Sequence, residues 1–474
     1  MTVQAIRAPQ NGIPPDAIHR FAASLRGRLV TPESPDYDEA RAVYNAMIDR
    51  YPALIARCAD VADVLATIAF ARDHDLTLAV RGGGHNGAGL GTVEGGIVLD
   101  LSPMKGIRVD PIARTVRVEA GCTWAEVDHA THGFGLATPS GIIGSTGVAG
   151  LTLGGGLGHL SRRYGLTIDN LITADVALAS GELVTTSEDE HPDLYWAIRG
   201  GGGNFGVVTS FLFRLHHVDT VIGGRTLWPL DQIGDAMRWY REFIVQAPVE
   251  LNGFFTIMTV PPVTAFPAEL HLQQVCGVVW CWTGPKSQAE AIFAPVRQVG
   301  TPLLHSVQEM PFPALQTAFD ALYPAGLQWY WKTDFVRELP DAAIDLHLEH
   351  GRRMPAFRSC MHLYPIDGAV HRVDRNDTAF SYRDATWAMV IVGVDPDPAN
   401  TGAISTWAQD YWEALHPYSA GGAYVNMLME EGQDRIRRAY RDNYDRLAAI
   451  KARYDPANLF RVNQNIAPAQ GASE

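Results

Sequence analysis

The chain is 474 residues long and carries 38 Lys and Arg against 52 Asp and Glu, a formal charge of −14. That length fits two or three domains, and 47% hydrophobic against 19% charged residues excludes wholesale disorder. The acidic balance, with no Lys/Arg run, argues against a surface that tracks nucleic-acid phosphates and mildly favours a small cationic ligand.

No window holds the ~18 apolar residues of a membrane span. The opening MTVQAIRAPQNGIPPDAIHRF lacks a basic stretch followed by an apolar core. The expectation is a cytoplasmic protein with no membrane or nucleic-acid partner; no oligomeric state is implied. Five scattered cysteines (Cys58, Cys122, Cys276, Cys281 and Cys360) read as small core residues, not as a disulfide framework or a zinc site.

Taken in chain order, residues 60–73 have helical apolar spacing, with Asp60 as the cap. Strands follow at 76–81 and 96–101. Residues 107–118 alternate as a hairpin turning near Asp110-Pro111. A short helix at 123–132, a second hairpin at 171–186 and a strand at 207–215 complete this region. Strands at 252–260, 270–282, 328–335 and 387–394 then alternate with helices at 231–246, 286–296 and 340–353. Half-apolar strands of this kind suit an antiparallel sheet with one face covered by helices. The fold class is therefore α+β. Glycine crowds residues 80–206, aromatic residues and Pro rise over 227–417, and an Arg- and Asp-rich helical run closes the chain over 421–466.

The strand at 76–81 runs into RGGGHN, where successive backbone N–H groups can converge on an anion such as diphosphate and Arg81 adds a fixed positive fork. A tight turn with no ligand explains this loop equally well. A second loop, 141–158, packs eight glycines into eighteen residues. Glycine costs ~1 kcal/mol in a helix interior, so such density points to a backbone that approaches something closely. RGGGGNFG at 199–206 adds a third loop. None has the Gly-Lys-Ser/Thr of a nucleotide-triphosphate loop or a clean GxGxxG between strand and helix. Together they point to an extended ligand lying across backbone.

Five segments in this order, RGGGHN at 81–86, PSGIIGSTGVAGLTLGGGLG at 139–158, RRYGLTIDN at 162–170, DLYWAIRGGGGNFGVVT at 193–209 and YDPANLFRVNQNI at 454–466, resemble the berberine-bridge-type FAD-linked oxidases of the vanillyl-alcohol-oxidase group. The resemblance implies a split PCMH-type FAD-binding domain over 1–220, a substrate domain with a large antiparallel sheet covered by helices over 221–419, and a C-terminal segment over 420–474 that returns to the FAD domain. It implies FAD contacts at Arg81, Gly82, Gly83, Gly84, His85, Asn86, Thr146, Gly147, Gly150, Gly155, Gly158, Val207 and Asn463, with Asn465 nearby. His85 matches the family's histidine that bonds to the flavin 8α-methyl carbon. Ile143 stands where bicovalent members carry a cysteine, which implies a single link. Thr146, beside the reactive flavin edge, leaves room for oxygen. Leu151 replaces a histidine of many plant-type members.

Tyr424 in GGAYVNML matches the family's tyrosine facing the flavin and is the expected proton acceptor. A phenol has an ordinary pKa of ~10, so that role needs a strongly perturbed site. Asn426 lies on the same side if the segment is a strand, and is expected to orient Tyr424. Candidate substrate contacts are Trp329, Trp331, Tyr364 and Trp387, with Tyr330 and His362 as further aromatic candidates of the same sheet. HLEH at 347–350 reads as a solvated helix face, and no metal is expected.

The implied activity is an oxidase that moves a hydride from an alcohol or amine-adjacent carbon of a sugar, alkaloid-like compound or secondary metabolite to flavin N5, then to O2, giving H2O2. A dehydrogenase with another acceptor and a non-catalytic flavin- or metabolite-binding protein are the alternatives.

Overall fold

A computed structural model describes residues 12–470. Three sheets organise the described chain, beside one two-stranded pairing. The first is small and partly parallel, in the order Arg28–Val30, Leu54–Arg57, Ile97–Asp100, Leu78–Arg81, the last three running parallel. The second holds both expected hairpins. Ile107–Asp110 pairs with Thr115–Glu119, Leu171–Ala177 pairs with Leu183–Thr186, and Val207–Arg214 joins them at the centre.

The helix Val61–Asp73 begins where Asp60 accepts the N–H of Asp63, as the sequence requires. The helix Trp124–His132 is capped by Thr123, whose N–H donates to the Glu126 carboxylate at 2.7 Å.

The third sheet is fully antiparallel and seven-stranded. Its order is Leu304–Pro311, Thr220–Pro229, Gln274–Trp282, Leu251–Thr259, Cys360–Pro365, Trp387–Asp395, Gln328–Val336. The helices Ile233–Gln246, Asp341–Arg352 and Thr401–Leu415 cover one face and form a core with Trp280, Leu363, Met389 and Trp387. The opposite face carries Trp329, Trp331, Phe254, Tyr364 and Val390. The C-terminal helices Gln433–Tyr440 and Asn443–Tyr454 pack back into the first core beside Trp124 and Phe205.

Three expectations need correction. The strand expected from 270 starts at Gln274, because 268–270 is a 3-10 turn. The helix expected over 286–296 is broken into the short turns 286–288, 289–293 and 296–298, as Pro295 cannot continue a helical ladder. The HLEH face is not solvated: His347 is buried with Nδ1 2.6 Å from Tyr411 Oη, and His350 stacks on the same ring at 4.8 Å. No helix among the described residues is long and apolar enough to cross a membrane.

Candidate active site

One cavity runs between the glycine loops and the uncovered face of the large sheet. Its first wall is backbone. The strand Leu78–Arg81 delivers residues 82–86 against the loop that ends at Gly147, and the two loops touch. A Cβ on Gly83 would sit 2.4 Å from Gly147 N, and one on Gly147 would sit 2.3 Å from Gly83 N. No side chain fits there. Gly84 has φ +70°, the left-handed region that glycine enters without penalty.

None of the main-chain N–H groups of Gly83, Gly84, His85 and Asn86 donates to an acceptor among the described residues. A run of unpaired donors on a cavity wall is a cradle for anionic oxygens. Gly82, Gly83, Gly84, His85, Asn86, Thr146, Gly147, Gly150 and Val207 all line this cavity. Gly155 and Gly158 do not. Gly155 packs against Phe380 and Tyr424, and Gly158 against the carbonyls of Ser140 and Gly141. Their glycines serve close packing behind the wall. Arg81 lines the cavity, but its guanidinium donates to Asp100 Oδ2 at 2.9 Å and to the Ala42 carbonyl. Its fork ties the strand Leu78–Arg81 to Asp100 on the neighbouring strand.

His85 stands at the junction of the two walls. Its Nε2 lies 3.0 Å from Ser145 Oγ. Its ring stacks on Tyr44 at 3.8 Å, and Tyr44 stacks in turn on Trp329 at 5.1 Å. Nδ1 has no partner among the described residues. Burial pulls the imidazole pKa down to about 4, so the ring is neutral near pH 7 and nucleophilic. Ile143 is also in the lining. Cys122 lies in the first core, where burial pushes its thiol up to about 12.

The returning C-terminal segment supplies the polar end. Tyr424 is 3% exposed. Its oxygen accepts the Gly156 N–H at 3.0 Å and Asn426 Nδ2 at 2.9 Å. Burial raises the phenol to about 12, against the pull of these two donors. Val425–Met427 is a 3-10 turn, not a strand. Asn426 reaches Tyr424 by turning back, and Gly154 makes room: a Cβ there would meet Asn426 Oδ1 at 2.1 Å. Asn426 also ties down the Leu151 carbonyl at 2.9 Å. Asn463 lines the cavity with Oδ1 buried and unpartnered, an acceptor for a cofactor N–H or O–H; Asn465 is outside the lining.

The second wall is the sheet. Trp329, Trp331, Cys360, His362, Tyr364, Val390 and Val392 face the cavity. Strand periodicity explains the set, since 360, 362 and 364 share a face, as do 390 and 392. By the same rule Trp387 belongs to the other face. It is buried in the helix-covered core and does not touch the cavity, which corrects its place among the substrate contacts.

Sequence reasoning missed Tyr44, Tyr323 and Cys360. Tyr44 Oη donates to the Tyr323 carbonyl at 2.6 Å. The first two lie outside every motif. Cys360 was read as core, and burial does raise its thiol to about 12; only its register on the strand shows that it faces the cavity. Among the described residues no His, Cys, Asp and Glu cluster fits a metal ion.

A partly parallel sheet ending in glycine loops, an antiparallel sheet over them and a returning C-terminal segment define a flavin-binding oxidoreductase. The comparisons agree. Residues 52–187 match an FAD binding domain, and residues 423–467 match the berberine and berberine-like family. An FAD-linked oxidoreductase of Dictyostelium discoideum is 30% identical over 456 residues, 96% of this chain and 97% of that protein. The (R)-6-hydroxynicotine oxidase of Paenarthrobacter nicotinovorans is 29% identical over 469 residues, 94% of this chain and 97% of that one. The solved 6-hydroxy-D-nicotine oxidase of Arthrobacter nicotinovorans superposes with a TM-score of 0.84 at 24% identity, covering 94% of this chain and 99% of that one. The chain belongs to the berberine-bridge-type family of FAD-linked oxidoreductases.

Proposed function

We propose that the protein is an oxidase that removes a hydride from a carbon bearing oxygen or nitrogen in a small molecule and delivers the electron pair to O2. The observation that carries the reading is the pairing, in one cavity, of unpaired backbone donors over 83–86, on a loop that touches a second glycine loop, with a buried tyrosine held by two N–H donors. FAD, when bound, supplies the hydride acceptor at N5 and the route to oxygen.

The chain's own residues bind, orient and move the proton. The N–H groups of 83–86 would hold the FAD diphosphate. His85, neutral and clamped between Ser145 and Tyr44, has a free Nδ1 for the single covalent link, and Ile143 offers no second one. Tyr424 receives the substrate proton only as its phenolate, which burial disfavours by holding the phenol at about 12, so the role requires the two donors and the bound cofactor to offset that burial. The Asn426 and Gly156 donors stabilise charge on its oxygen and fix its direction. Thr146, small and on the lining, leaves room for O2.

The test is acid precipitation of the purified protein, then anaerobic mixing with trial alcohols and amines. Yellow colour retained in the pellet and lost in His85→Ala, with H2O2 on admitting air, is the expected result. A flavin that is reduced by substrate but not reoxidised by air overturns the oxidase reading. A colourless chain that takes up no FAD overturns it at the root.

A further inference from the structure

The geometry points to an uncharged, largely apolar, ring-bearing substrate with one hydrogen-bonding group, anchored by the pair His362–Tyr364. This inference rests on the reading of the cavity as the substrate site.

Two observations carry it. The first is the chemistry of the sheet wall. Trp329, Trp331, Val390, Val392 and Cys360 are apolar, and the whole cavity lining contains no Asp, Glu or Lys among the described residues. Its lone charged side chain, Arg81, is already paired with Asp100 at 2.9 Å. A cationic amine finds no carboxylate on this lining; Asp36, Glu39 and Asp320 stand in the adjoining pocket beyond His85 and Tyr44. An oligosaccharide, with a hydroxyl on nearly every carbon, would leave many of them unpaired, at a cost for each.

The second observation is a paired polar group on that wall, beside the Trp329 indole N–H, which is buried without a partner. His362 Nδ1 lies 2.6 Å from Tyr364 Oη, both side chains are buried, and both face the cavity from one strand. Phe254 packs against the two rings at 5.0 and 4.9 Å and fixes them. Burial keeps the imidazole neutral and the phenol protonated. With Tyr364 O–H donating to His362 Nδ1, the Tyr364 oxygen keeps lone pairs for one substrate O–H or N–H. The aromatic rings of Trp329 and Trp331, edge-to-face at 5.8 Å, offer packing surface for a flat ring.

Equilibrium dialysis of the holoprotein with 2-naphthylmethanol, 2-naphthylmethylamine and cellobiose tests this. The alcohol is expected to bind, with the protonated amine and cellobiose at least about tenfold weaker. Tyr364→Phe, which keeps the ring, and His362→Gln are each expected to weaken the alcohol about tenfold while leaving the flavin content of the folded protein unchanged. Equal or tighter binding of cellobiose or the amine overturns the inference, as does unchanged affinity in Tyr364→Phe. The readout is binding, not turnover. A protein that holds the alcohol through Tyr364 yet never reduces its flavin defeats the oxidase reading and leaves this inference standing. Turnover of alcohols with indifference to Tyr364→Phe does the reverse.

Discussion

The two walls of the cavity are built on different principles. The glycine-loop wall presents backbone: unpaired N–H groups over 83–86 and a Gly83–Gly147 contact with no room for a Cβ. The sheet wall presents side chains on one face of a strand lattice, and its other face is core. The walls meet where His85, Tyr44 and Trp329 stack, and where a Cβ on Gly87 would press on the Trp331 ring at 2.5 Å. Backbone recognition constrains residue type at each position, because only glycine fits. Side-chain recognition constrains only which way a residue points.

The largest effect should come from disturbing the backbone wall. Gly83→Val forces the two loops apart. We expect near-complete loss of bound flavin, read as the visible-to-ultraviolet absorbance ratio, beyond the ~1–3 kcal/mol typical of overpacking. A fully yellow Gly83→Val protein would show that the loops do not clasp the cofactor. Next in size is Tyr424→Phe, which keeps the ring and removes the oxygen between Asn426 and Gly156. Flavin content should hold while the rate of anaerobic flavin reduction falls ~10²- to 10⁴-fold. A rate within a few-fold of wild type would take the proton acceptor elsewhere.

A paired substitution then separates the faces of the sheet. Trp387→Ala should cost ~3–5 kcal/mol of stability with substrate affinity unchanged in the protein that remains folded. Trp331→Ala should weaken substrate binding more than it lowers the melting temperature. The same response from both would mean that the two faces are not functionally distinct.

This asymmetry explains what was legible in the sequence. Strand and helix patterning gave the fold class, and the family resemblance of the five motifs gave the cofactor and pointed to His85, Asn86, Gly147 and Asn463, all of which line the cavity. Where the reading went too far, the motif held glycines for another reason: Gly155 and Gly158 pack against neighbours behind the wall, and Arg81 serves Asp100. On the sheet the sequence gives periodicity without sign. Alternation along a strand puts Trp329 and Trp331 on one face, yet nothing local tells which face is covered. Trp387 is as aromatic as they are and points the other way. Asn426 was placed correctly beside Tyr424 by an argument from strand geometry, although the segment is a 3-10 turn. Tyr44 and Tyr323 carry no signal at all, because their role depends on the distant strand they touch.

The smallest expected effect concerns charge held away from both walls. Asp128, on the helix Trp124–His132, is buried with neither carboxyl oxygen partnered. Burial, and then the nearby Asp320, hold its pKa well above the ordinary 3.8. A raised folded pKa means that the folded state keeps a proton the unfolded chain releases. The stability it contributes is therefore complete below about pH 4 and is lost as the pH rises towards the folded value.

The buried histidines work in the opposite sense. His85, His159, His216 and His362 are depressed to about 4, and His347 to about 3, by burial. Their contribution is present above about pH 6.5 and is lost as the pH falls towards 4. Wild-type melting temperature should thus fall on both sides of a neutral optimum. Asp128→Asn removes only the alkaline limb: it should match wild type at or below about pH 4 and melt about 2 °C or more higher at pH 8. Equal melting curves at pH 8 would mean that the carboxyl is ionised and solvated in the folded protein, and that the core around helix Trp124–His132 admits water.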